Sequence, residues 1–180
     1  MSERRRVVVT GLGVISPVGI DVPTAWANLV AGKSGIGPIT RFDAKDFRVR
    51  IAGEVKGFDV ESCMPAKEAR RMDTFIHYGV AAAIEALRDS GLEVNDANRE
   101  MIGCMVGSGI GGLPMIEDNH SELVNRGPRR ISPFMIPGAI INMVSGNLSI
   151  MLGLKGPNMA IVTACTTGLH CIGAAGRLIE

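Results

Sequence analysis

Thr163-Ala164-Cys165-Thr166-Thr167-Gly168 is the stretch on which the fold turns. Before it, residues 159–163 alternate β-branched and apolar side chains, which predicts a strand. After it, residues 166–180 predict a helix dense in small residues: Gly168, Gly173, Ala174, Ala175 and Gly176. Cys165 stands at their junction. Backbone N–H groups at a helix start favour negative charge, so a cysteine there gains the thiolate that makes it a nucleophile. The same N–H groups can hold the oxyanion that forms when a thioester carbonyl is attacked. The competing account is a small buried hydrophobe, as unpaired cysteine often is. A glycine-rich helix is poor by propensity alone and needs close packing inside a larger body. The sequence reaches Glu180 with no Gly, Asn or Pro stop signal, which suggests a chain cut short within that helix.

Outward from this centre the chain alternates strand and helix patterns without an internal repeat, the mark of a single α/β unit. Val7-Val8-Val9-Thr10 reads as a buried strand ending at Gly11-Leu12-Gly13. A helix is expected over 23–31, opened by Pro23 and closed by Gly32. Residues 33–66 read as loops with short strands. The strongest amphipathic pattern covers 67–90, where Met72, Ile76, Val80, Ala83 and Leu87 share a face and Gly91 is the stop. A second strand is expected over 101–106, then helices over 114–124 and 138–152.

Composition excludes several function classes. A formal net charge of +1 and an aromatic content of 4% supply neither the field nor the stacking platforms that nucleic acid needs. Arg4, Arg5 and Arg6 precede an apolar run too short for a signal peptide, and no segment approaches the ~20 apolar residues that cross a bilayer. Cys63, Cys104, Cys165 and Cys171 lack CxxC spacing, so no metal site is expected and reduced thiols in a cytoplasmic protein are the simpler account.

Two glycine clusters invite a nucleotide-binding reading, and both fall short. After Gly11-Leu12-Gly13, Ser16-Pro17 occupies the place of the third glycine of a dinucleotide fingerprint. No GK[ST] follows Gly107-Ser108-Gly109-Ile110-Gly111-Gly112, so a phosphate loop is unsupported. His170 falls five residues past Cys165, off its helical face, and is a poor base candidate. His77 and His120 read as structural or surface residues, as Cys63, Cys104 and Cys171 do.

The nucleophile segment resembles that of the condensing enzymes of the thiolase superfamily. Val7 to Gly13 followed by Ser16-Pro17-Val18-Gly19 is similar to the opening of the β-ketoacyl-acyl carrier protein synthase II family. Arg71-Met72-Asp73, the Gly107–Gly112 series, Ser132-Pro133-Phe134 and Lys155-Gly156-Pro157 follow in that family's order. The resemblance spans essentially the whole chain. It implies a thiolase-like layered αβαβα fold of two similar halves, of which residues 1–180 are most of the N-terminal half, assembled as a homodimer.

The implied activity is acyl transfer to Cys165, then decarboxylative condensation with malonyl-acyl carrier protein in fatty acid elongation. No cofactor or metal is implied beyond the phosphopantetheine of acyl carrier protein, which carries the substrates. The family's two histidines, lysine and second oxyanion donor lie in its C-terminal half, so the first oxyanion donor, the Cys165 N–H, is expected here and the fragment alone is expected to be inactive. By the same resemblance Ile110 lines and gates the acyl pocket. Met135 matches a pocket position usually supplied by the partner subunit and often aromatic. Thr167 stands where a serine is common. Arg70-Arg71 and Arg129-Arg130 are solvated surface or contacts for acidic acyl carrier protein. The alternative is a non-catalytic structural or dimerisation module derived from a condensing enzyme.

Overall fold

A computed structural model describes residues 4–180. In chain order the elements are α1 (Val22–Val30), β1 (Ile36–Pro38), β2 (Ile51–Gly53), α2 (Ala66–Ala69), α3 (Thr74–Ser90), β3 (Cys104–Met105), α4 (Leu113–Arg126), α5 (Met135–Ala139), α6 (Met143–Leu152), β4 (Asn158–Met159) and α7 (Thr167–Ile179). Strands β1 and β2 pair antiparallel, and β3 and β4 pair parallel with Cys104 opposite Asn158. The class is α/β, with α6 and α7 both packed against β3.

The core forms where α3 meets α6. Ile76 and Val80 from one helix and Val144 and Leu148 from the other are at most 1% exposed, with Met64 and Ala69 closing one end. Those α3 residues are among the ones the 3.6-residue period selects, so burial follows directly from the pattern. Gly91, in the left-handed conformation at φ 66°, ends α3 as expected.

Four expected elements differ in the structure, two helices that are broken and two strands that are shorter. The helix over 67–90 is interrupted between α2 and α3, because Asp73 is extended and its N–H donates to the Gly138 carbonyl at 3.1 Å. The helix over 138–152 is two helices, with Ile140 extended between them and the first beginning at Met135. The strand over 159–163 reaches only Met159, and that over 101–106 only Cys104–Met105, since ladder bonds between them extend no further.

Val7 to Thr10 join no ladder among the described residues. Val8 and Val9 are 68% and 77% exposed, and the chain beyond them lies along α3 instead. There the N–H groups of Leu12 and Val14 donate to Asp89 and Glu85, both at 2.8 Å. An extended run becomes a strand only beside a partner, and these residues meet a helix. No helix among the described residues is long and apolar enough to cross a membrane.

Candidate active site

Cys165 is exposed, in a 3-10 turn of Ala164–Thr166 that leads directly into α7. The expected strand-to-helix junction is therefore a strand end at Met159, an irregular passage and a tight turn. The turn is held by side chains. The Thr163 carbonyl accepts from the Thr166 N–H at 3.1 Å and from its hydroxyl at 2.7 Å, and the Thr163 N–H donates to Thr167 Oγ1 at 2.9 Å.

Between these braces Ala164 sits at φ 51°, the only non-glycine residue with positive φ among the described residues. An L-residue pays ~1–2 kcal/mol for that conformation, and such strain persists only where the surroundings enforce it. The turn leaves the Cys165 N–H without a hydrogen-bond partner among the described residues. A donor with no internal partner, next to an exposed thiol at a helix start, is the pairing that acyl transfer requires.

The Gly107–Gly112 series is a packed support. Gly107 backs onto Ile161 and Thr167, and Gly109 onto Ala164, whose carbonyl oxygen lies 3.6 Å from where a Gly109 Cβ would stand. At the far end Gly111, at φ 89°, fits only as glycine against the Ala139 carbonyl. There the Gly112 N–H donates to that carbonyl at 2.8 Å. The loop thus bridges the Cys165 turn to α5.

Ile110 lies on this bridge and is 73% exposed. Met135, half-buried, begins α5, one turn before Ala139. The loop connects the three residues through backbone. Cavities of about 510 and 670 Å³ open elsewhere, the first between β3 and the end of α7 and the second beside Tyr78, and neither is lined by Cys165, Ile110 or Met135.

Two polar residues fix the bridge: Asp73, quoted from the sequence only within Arg71-Met72-Asp73 and without a role, and Asn119, which the sequence did not single out. Asp73 is buried and accepts from the Met115 N–H at 2.8 Å, capping α4 where Gly112 has no side chain to do so. Asn119, also buried, donates to the Met115 carbonyl and accepts from the Ser132 N–H at 2.7 Å. An aspartate just ahead of an apolar helix is a cap signal, although the helix it caps through its side chain is a different one. Arg71 is not simply solvated: its guanidinium lies 4.6 Å over the Phe134 ring and pairs with Glu68. Arg70, Arg129 and Arg130 are exposed.

The remaining thiols differ from Cys165. Burial pushes the Cys104 thiol up to about 11, and burial followed by the Asp59 charge raises that of Cys63. Cys171 is buried within α7. All four are unpaired. His77 Nε2 is 2.9 Å from the Ala69 carbonyl oxygen, a structural role, while His120 and His170 are exposed. Among the described residues no three His, Cys, Asp or Glu side chains gather as metal ligands.

Residues 4–180 match the family model "Beta-ketoacyl synthase, N-terminal domain". The 3-oxoacyl-[acyl-carrier-protein] synthase 2 of Vibrio cholerae is 60% identical over 98% of the chain and 43% of that relative; its Staphylococcus aureus counterpart is 48% identical over the whole chain and 44% of that relative. The chain spans less than half the length of these curated relatives. Among solved structures it resembles the ishigamide ketosynthase/chain length factor, at TM-score 0.78 and 31% identity over 96% of this chain and 45% of that one. It also resembles a chain from a type II PKS acyl-carrier protein in complex with its ketosynthase bound to the hexaketide, at TM-score 0.82 and 26% identity over 98% of this chain and 48% of that one. The fold is thiolase-like, and the chain belongs to the β-ketoacyl synthase family, of which it carries the N-terminal domain.

Proposed function

We propose that Cys165 is the acyl-carrying nucleophile of a 3-oxoacyl-[acyl-carrier-protein] synthase of fatty acid elongation. The observation that carries this reading is the exposed thiol in a strained turn at the start of α7, beside its own unbonded N–H. In the first half-reaction the Cys165 thiolate attacks the carbonyl of an acyl thioester on the phosphopantetheine of acyl carrier protein. The Cys165 N–H stabilises the oxyanion, the carbon–sulfur bond to the carrier breaks, and the carrier thiolate leaves and takes up a proton. In the second, a malonyl thioester loses carbon dioxide, its carbanion attacks the acyl-Cys165 carbonyl, and the Cys165 thiolate departs as the new carbon–carbon bond forms.

Residues 1–180 are, on this reading, the N-terminal half of a two-half fold, with the groups that promote decarboxylation in the other half. Ile110 lines the acyl pocket and limits its depth. Met135 enters the pocket of a second copy in a homodimer, where its flexible thioether admits a different range of chain lengths from an aromatic ring. Exposed Ile136 and Phe134 beside it support such an apposition. Acyl carrier protein is the macromolecular partner, with exposed Arg129 and Arg130 suited to its acidic surface. The reaction takes place in the cytoplasm and uses no resident cofactor. In the full-length synthase with both halves present, Cys165→Ala is expected to abolish formation of the 3-oxoacyl product while leaving the fold intact. Product formation at the unaltered rate by that variant would overturn the assignment.

A further inference from the structure

We infer that Thr167 is a positioning residue for Cys165, its hydroxyl oxygen locking the turn that presents the thiol; this rests on the role proposed for Cys165. Thr167 opens α7 and is only 6% exposed, so its side chain is committed to the interior. Its Oγ1 accepts from the Thr163 N–H on one side of Cys165, and its own N–H donates to the Ala164 carbonyl. One residue thereby holds both neighbours that precede the nucleophile.

The other groups nearby do not duplicate this brace. Thr163 Oγ1 is buried without a hydrogen-bond partner, so its hydroxyl restrains nothing. Thr166 binds only the Thr163 carbonyl, which leaves the Thr163 N–H to Thr167 alone. Ala164 at φ 51° returns to an ordinary conformation unless its flanks are fixed, and that return would swing Cys165 away from the helix start. The methyl group of Thr167 has a separate part. Cγ2 fills the space beside Gly107, at 2.6 Å from where a Cβ on that glycine would be.

The oxygen and the methyl are separable by substitution. Thr167→Ser keeps the acceptor and loses the methyl, whereas Thr167→Val keeps the shape and loses the acceptor. In the full chain, iodoacetamide alkylation of Cys165 is followed by peptide mapping, together with the rate and half-saturation of acyl transfer from an acyl thioester. Thr167→Val is expected to slow both reactions about tenfold with unchanged half-saturation, the effect of one backbone hydrogen bond of ordinary net strength. Thr167→Ser is expected to stay near the unaltered rates.

Should Thr167→Val fail to fold, Thr167→Ala removes the same acceptor with a smaller packing demand and must show the same slowing. Unaltered rates in either folded variant, or equal slowing in Thr167→Ser and Thr167→Val, would overturn the inference. Absence of acyl transfer to Cys165 in the unaltered chain would remove the proposed reaction, while the alkylation rates still judge Thr167.

Discussion

Gly107 lies so close to Ile161 that a Cβ added to it would stand 2.0 Å from the Ile161 carbonyl oxygen. That contact presses the glycine loop against the chain leading to Cys165, with no room for even a methyl group. The obstructing atom belongs to backbone and cannot rotate away. Gly107→Ala is therefore expected to lower stability by about 1–3 kcal/mol through overpacking. Alkylation of Cys165 should slow in the same variant. Denaturant unfolding and reagent kinetics check both; an unchanged midpoint together with an unchanged rate would show that the loop does not support the turn.

Asp73 offers a second test, at the other end of the bridge. Its carboxylate caps α4 from the start of α3, so Asp73→Ala leaves the Met115 N–H unpaired in a half-buried setting. The expected loss is about 1–2 kcal/mol, seen as a lower denaturant midpoint with an unchanged slope. Asp73→Asn retains an acceptor oxygen and should recover part of it.

Alkaline pH should weaken the fold through Cys104. Its thiol is held at about 11 against an ordinary 9.0, because burial disfavours the thiolate. Between those values the unfolded chain has released the proton and the folded chain has not, so stability falls as pH rises across that window. Cys63, raised in the same direction, adds to the decline. Unfolding free energy measured from pH 8 to about pH 11 is expected to slope downward, and less steeply in Cys104→Ala. An identical slope in that variant would remove Cys104 from the account.

The sequence made the helices more legible than the strands. Ile76, Val80 and the Gly91 stop follow from helical period and capping chemistry, which act locally. The break at Asp73 goes with bonds between residues far apart in the chain, Asp73 with Gly138 and with Met115, which no local pattern encodes. Val7 to Thr10 have the composition of a strand, yet strand formation needs a neighbour as well as a composition. Cys165 stood out from its place between two predicted elements. The positive φ of Ala164 and the brace from Thr167 did not, since threonine and alanine carry no signature for either.

The most direct measurement is acyl transfer itself. The full-length synthase, both halves present, is mixed with an acyl-phosphopantetheine thioester, quenched in acid, digested and mapped by mass. The acyl group is expected on the peptide containing Cys165, and lost from it on adding a malonyl thioester as the 3-oxo product appears. Acylation confined to Cys63, Cys104 or Cys171, or product formation with Cys165 never acylated, would contradict the account.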